Sequence, residues 1–247
     1  MTHYHGTPIT PETAAASILA GRHAMVSFAE PRQTELCFDV CQTVSFDNGA
    51  FPFWMAGKIV RDWKPYYSWV NEWFQHPAFD FALIPDVIDG DEKQNRALMA
   101  AWPFNRNVGV PAWHLHESLN YLQNLCDYWP RIALGSSGEY ATIGTDRWWH
   151  RMAEAMEILC PFGKPLVKIH GLRMLDPRIF TKFPFSSADS TNVARNIGID
   201  KAWTGSYSPA NKAGRGVVIA DRIEAFQSAR CWEKLETQMQ FFGGAIA

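Results

Sequence analysis

Acids and imidazoles recur at one kind of place in this chain, at or just past the end of a short apolar run: Glu30, Asp47, Asp86, Asp89, His114, His116, Glu117, Glu139, His170 and Asp189. Two carboxylates facing one substrate can divide the work of nucleophile and general acid/base when their surroundings separate their pKa values. Asp47 and Asp189 are the pair picked out here, for attack on an electrophilic carbon while the partner handles the proton of the leaving group. His114-Leu115-His116 offers a competing chemistry, because residues i and i+2 of a strand share a face and two imidazoles there can ligate one metal. With His170 and Asp189 the set would make a mononuclear metal hydrolase. Each residue also has a plainer use: Asp47 and Asp86 suit turns or helix caps, and one histidine of the pair suits the core. Gly135-Ser136-Ser137-Gly138 could offer backbone N–H groups to a phosphate or a planar base, but it matches neither the G-x-x-x-x-G-K-[ST] nor the G-x-G-x-x-G pattern. The chain has no serine nucleophile elbow.

These residues need a scaffold that gathers strand ends. Val44-Ser45-Phe46 reads as a buried strand that stops at Asp47-Asn48-Gly49, where Asn-Gly tolerates positive φ. The same grammar predicts strands over 24–28, 79–84, 110–115, 131–134, 165–169 and 183–187. Helices are expected over 63–74, 94–102, 119–125 and 146–160, and from 223 to 242. An earlier helix starts with Thr10 as N-cap and Pro11 at N1, and ends at Gly21. Residues 1–10 read as an irregular N-terminal segment, in which His3 and His5 sit on flexible polar chain. The eighth strand is sought at Trp203-Thr204 or at 217–219. Strands alternating with helices in this way imply an α/β fold, a (β/α)₈ TIM-type barrel in one domain over 1–247, with an open doubly wound sheet as the alternative.

Hydrophobic residues at 47% and charged residues at 19% exclude a disordered chain. Net charge is −2, unevenly spread: residues 1–163 carry 11 Lys/Arg against 18 Asp/Glu, and residues 164–247 carry 12 against 7. A basic C-terminal part over 197–247, within that cationic third, suits a polyanion. Five cysteines without a C-x-x-C argue against a disulfide framework, and with no signal-peptide pattern they point to the cytoplasm. No apolar run is long enough to span a bilayer.

In order and motif the chain resembles the tRNA-guanine transglycosylase superfamily, and most of all its compact DpdA-type branch, the DNA-guanine transglycosylases of phages and genomic islands. Ser45-Phe46-Asp47-Asn48-Gly49-Ala50-Phe51 is similar to the family's Asp-Ser-Gly-Gly-Phe segment, and Leu134-Gly135-Ser136-Ser137-Gly138 to its Leu-Ala-Val-Gly-Gly loop. Lys168-Ile169-His170-Gly171 is similar to its Met-Gly-Val-Gly strand end, and Phe185-Ser186-Ser187-Ala188-Asp189-Ser190 to the segment with the nucleophilic aspartate. The likeness runs in patches over residues 22–196.

The resemblance implies a base-exchange enzyme without a cofactor. Asp189 would attack C1′ of a nucleoside and Asp47 would be the general acid/base. Asp86 would bind the base's N–H edge, His114 or His116 would stand where the family has a glutamine, and Gly135 and Ser136 would bind the base through their backbone. Phe51 would stack on the base, and His170 would belong to the substrate site. The entering base would be a 7-deazaguanine such as preQ0. The zinc motif of the tRNA-specific members, C-x-C-x-x-C with a later histidine, is missing here, which favours DNA over tRNA and leaves a smaller substrate such as a free nucleoside open. Arg173, Arg178, Lys182 and Arg195, with Lys201, Lys212 and Arg215, would contact the nucleic-acid backbone. A homodimer and, for a phage protein, the host cytoplasm complete the expectation. The alternatives are the metal hydrolase and a non-catalytic barrel that only binds nucleic acid.

Overall fold

The computed structural model describes residues 1–198 and 209–233. Its strands are β1 (Thr2–Gly6), β2 (His23–Ser27), β3 (Thr43–Asp47), β4 (Phe79–Leu83), β5 (Gly109–Val110), β6 (Ala112–His114), β7 (Arg131–Gly135), β8 (Lys168–Gly171) and β9 (Ser187–Ser190). The helices are α1 (Glu12–Leu19), α2 (Thr34–Val40), α3 (Ala50–Met55), α4 (Lys64–Trp73), α5 (Glu92–Ala100), α6 (Leu119–Tyr128), α7 (Asp146–Leu159), α8 (Pro177–Phe180), α9 (Asn192–Asn196) and α10 (Lys212–Glu224). Among the described residues no helix is long and apolar enough to cross a membrane.

All strand pairs are parallel, in the order β5-β4-β3-β2-β1-β9-β8-β7-β6. β5 and β6 are two halves of one strand, interrupted where Pro111 lacks an N–H. This strand closes the ring: Val110 accepts the Ile84 N–H at 2.9 Å on one side, and Pro111 accepts the Ala133 N–H at 2.9 Å on the other. The fold is therefore the (β/α)₈ barrel that the alternation of elements implies.

The eighth strand lies at the N-terminus. Thr2–Gly6 is a strand between β2 and β9, so the reading of residues 1–10 as irregular is corrected. Polar residue types hid it. Tyr4 points into the barrel, among Met25, Phe81, Leu83, Val110 and Ala133. His3 and His5 point outward under the helices, where His5 Nε2 lies 2.8 Å from Glu224 Oε1 and His3 Nε2 lies 2.9 Å from the Phe226 carbonyl. Residues 217–219, a candidate for the eighth strand, belong to α10, and Trp203-Thr204 lies outside the described residues. α10 ends at Glu224, so the helix expected to 242 stops earlier, and residues 234–242 are outside the description. α1 has Pro11 rather than Thr10 at its N-cap.

Two further strands sit later in sequence than their apolar runs suggest. Leu166 is 52% exposed, and the sheet starts only at Lys168, which places His170 inside the strand. Phe183 and Phe185 stack on each other at 5.3 Å, and Phe183 packs on Trp232 at 5.7 Å. The strand itself begins at Ser187, so Asp189 lies within β9.

At the N-terminal end of the barrel Tyr4 donates its hydroxyl to Asp80, and Asp80 pairs with Arg131 at 3.0 Å. Burial alone would raise the Asp80 carboxyl. The hydrogen bond and charge of Arg131 outweigh it and hold the group below its ordinary value. The bulk of the apolar core lies outside the ring, between strands and helices.

Candidate active site

The opposite, C-terminal end of the strands gathers the acids. Asp47 is the last residue of β3, and Gly49 follows in the left-handed region at φ 77°. A Cβ at Gly49 would also come within 2.9 Å of the Ala29 nitrogen, so the sharp turn into α3 requires glycine. Asp47 Oδ2 accepts the Ser27 hydroxyl at 2.7 Å and the Gly49 N–H at 3.2 Å. Burial raises the Asp47 carboxyl to about 6. The two hydrogen bonds oppose the rise, and the charges of Asp189 and Asp86 add to it.

Asp189 Oδ1 accepts the Arg173 N–H at 2.9 Å and lies 3.3 Å from His170 Nε2. Arg173 has φ 58°, a strained conformation for a bulky side chain. That turn aims its N–H at Asp189 and sends its guanidinium back over the mouth. The guanidinium lies 4.0 Å from the centre of the Phe51 ring and donates to the Ser136 carbonyl at 3.1 Å. Burial and the charge of Arg195 hold the Arg173 pKa below its ordinary value, against the pull of Asp189 and Asp47. His170 is fully buried, with Nδ1 2.8 Å from the Ser187 hydroxyl.

A second buried pair flanks the first. His114 Nε2 and Asp86 Oδ2 are 2.6 Å apart, and Asp86 Oδ1 accepts the Asn48 amide at 2.7 Å. Burial would lower the His114 pKa, but the bond and charge of Asp86 outweigh it, so the imidazole is held above its ordinary value. Glu117 accepts the His114 N–H at 2.7 Å and the Asn95 amide at 2.8 Å. A Cβ at Gly135 would stand 2.9 Å from His114 Nδ1, so the imidazole needs glycine on β7 to keep its place.

Asp47, Asp86, Phe51, His114, His170, Arg173 and Asp189 thus converge on one end of the barrel, with His116, Glu117, Gly135 and Ser136 against them, while Glu30 and Glu139 pair with surface arginines instead. Glu30 is exposed and near Arg32, and Glu139 pairs with Arg147 on the surface. His116 is exposed at the edge of the group, its ring stacked 5.9 Å from that of His114, with Nδ1 2.7 Å from the Ser137 hydroxyl and Nε2 3.2 Å from the Gly90 carbonyl. Among the described residues no three His, Cys, Asp or Glu side chains are grouped to hold a metal ion. The ligand set His114, His116, His170 and Asp189 is not assembled, because Asp86 engages the first imidazole, and Ser137 and Ser187 engage the next two. Gly135 and Ser136 have their carbonyls committed to the Leu115 N–H and to Arg173.

The expected cationic surface is also redistributed. Arg178 pairs with Asp176 of its own helix turn, Lys182 follows α8, and Arg195 is exposed on α9. Arg215 is buried and donates to the carbonyls of Ile197, Pro209 and Ala210, which is a structural task. Lys201 lies outside the described residues.

Sequence reasoning missed Ser27 and Asn48. Asn48 looked like a turn residue, yet it is buried and ties β3 to Asp86 and to the Ile84 carbonyl. Its signal was the Asp-Asn-Gly order, which puts a short amide right after a strand-end acid. A cavity of about 380 Å³ opens beside the mouth, lined by residues of α3, the following segment, and the stretch from Asp86 to Leu98.

Fold and site together define a (β/α)₈ barrel with two acids and a buried acid–imidazole pair at its C-terminal mouth. No protein-family model, no curated protein and no solved structure matches the chain.

Proposed function

We propose that the protein is a transglycosylase that exchanges guanine for a 7-deazaguanine base such as preQ0 in nucleic acid, DNA more readily than tRNA. Asp189 attacks C1′ of the target nucleotide. The C1′–N9 bond breaks, an ester bond to the carboxylate forms, and Asp47 gives its proton to the departing base. The entering base returns a proton to Asp47, its nitrogen bonds to C1′, and the Asp189 ester breaks. Asp86 and His114 present a hydrogen-bonded pair to the base's polar edge, and Phe51 offers a ring face.

The reading is supported above all by the contrast between the two acids. The carboxyl of Asp47 is raised to about 6, close to neutral pH, where a group can both give and take a proton. Asp189 accepts the Arg173 backbone N–H and lies beside that arginine, which fixes the direction of its oxygens for attack. The motif resemblance supplies the substrate class.

The test is incubation with DNA and a labelled 7-deazaguanine, followed by denaturing gels for covalent protein–DNA adducts and nucleoside analysis of the digest. Asp189→Ala is expected to abolish both adduct and incorporation. Full incorporation by that variant would end the proposal.

A further inference from the structure

The segment after Asp47 carries a pattern that the catalytic pair leaves unused. Phe51, Phe53, Trp54 and Trp63 are interleaved with Lys58 and Arg61. The structure turns this into a path. Phe51 lies under the Arg173 guanidinium, whose residue also holds Asp189. The Trp54 ring is next, 5.9 Å from Phe51, and is 44% exposed. Trp54 then enters the wall of the cavity beside the mouth, together with Phe53, Lys58, Arg61 and Trp63. Lys58 Nζ stands 4.7 Å from the Phe53 ring.

Two acids also line the cavity. Asp86 is committed to His114 and Asn48, and Asp89 is exposed at the rim. The volume of about 380 Å³ is near the lower end of the range for small-molecule sites, room for one base and its sugar. Ring faces in series with cations beside them are what unpaired nucleotides bind, because every base has a face to stack and every link carries a phosphate. A duplex hides those faces within its own stack.

We infer that residues 51–63 bind a single-stranded nucleic-acid segment next to the exchanged nucleotide, with one flanking base stacked on Trp54 in the cavity and its phosphates met by Lys58 and Arg61. The inference rests on the base-exchange reading for the sugar's place at Asp189. It moves the main contact surface from the basic C-terminal third to α3 and the segment after it.

The test is fluorescence-anisotropy binding of labelled single-stranded DNA and RNA of about 12 nucleotides, with a duplex as competitor. The proteins are the full chain, Trp54→Ala, and the double variant Lys58→Ala/Arg61→Ala. All three substituted side chains are exposed, so the fold is retained, which circular dichroism verifies. Trp54→Ala is expected to weaken binding about tenfold. The double variant should lower the slope of log affinity against log salt by about 1.4, or about 0.7 per lost phosphate contact. Single strands that fail to bind the full chain, or that bind all three proteins alike, would overturn the inference. Loss of binding in the variants alongside a failed exchange assay would leave the strand-binding surface standing and remove the base-exchange reading.

Discussion

Replacing Asp47 with asparagine should make the protein more stable at neutral pH while disabling it. The carboxyl is raised from 3.8 to about 6 by burial and by the charges of Asp189 and Asp86. An acid raised in the folded state contributes stability that is fully present below its unfolded pKa and is lost as pH rises through the folded value. For Asp47 that window runs from about 4 to about 6. A rise of ~2 units corresponds to about 3 kcal/mol at most. The substituted amide cannot ionise, and its oxygen can still accept the Ser27 hydroxyl. Urea denaturation at a series of pH values should therefore show the variant near the wild-type stability at about pH 4 and ahead by up to ~3 kcal/mol above about pH 7. A stability difference that stays flat across this range would refute the account of the site's electrostatics. Under the base-exchange proposal, in which covalent trapping consumes the Asp47 proton, the same shift predicts that trapping slows as pH rises through about 6.

Other outcomes follow from the same geometry. Asp189→Asn removes one of the charges that raise Asp47, so carboxylate NMR should find Asp47 titrating lower in that variant; an unmoved titration would separate the two groups. Gly135→Ala drives a methyl into His114 Nδ1 and should cost roughly 1–3 kcal/mol by urea denaturation, with the His114 imidazole titrating closer to its ordinary value. Asp80→Asn breaks the link to Arg131 and Tyr4 and should cost about 2 kcal/mol at neutral pH. Because the Asp80 carboxyl is held low in the fold, its contribution is present above the ordinary carboxylate range and lost as pH falls through the lower folded value. The acid limb of the variant's stability curve should accordingly be shallower, and an unchanged limb would argue against the pairing.

What could be read from the sequence depended on how locally it was encoded. Asp47 was legible because strand, Asp-Asn-Gly and helix follow one another within a few residues, and Gly49 does adopt the positive φ expected there. β1 was not, because His3 and His5 look like surface residues until Glu224 and the Phe226 carbonyl, far along the chain, arrive to satisfy them. Apolarity misplaced β8 and β9 for opposite reasons: Leu166 is left exposed outside the sheet, and Phe183 and Phe185 are buried outside it. The Asp86–His114 pair depends on which strand ends lie side by side, which no short window of sequence contains.

The place of β1 has a consequence for synthesis. Its lateral partners are β2, made soon after it, and β9, made when most of the chain has already emerged. Until then the nascent ring is a curved ribbon with an open flank at its oldest strand, able to pair with any other extended chain. Closure waits on a contact between segments 185 residues apart (Thr2 to Ser187, 187 − 2), which is the slow kind to form. An agent that shelters Thr2–Gly6 during translation would therefore raise the yield of folded protein more than one acting on any later strand.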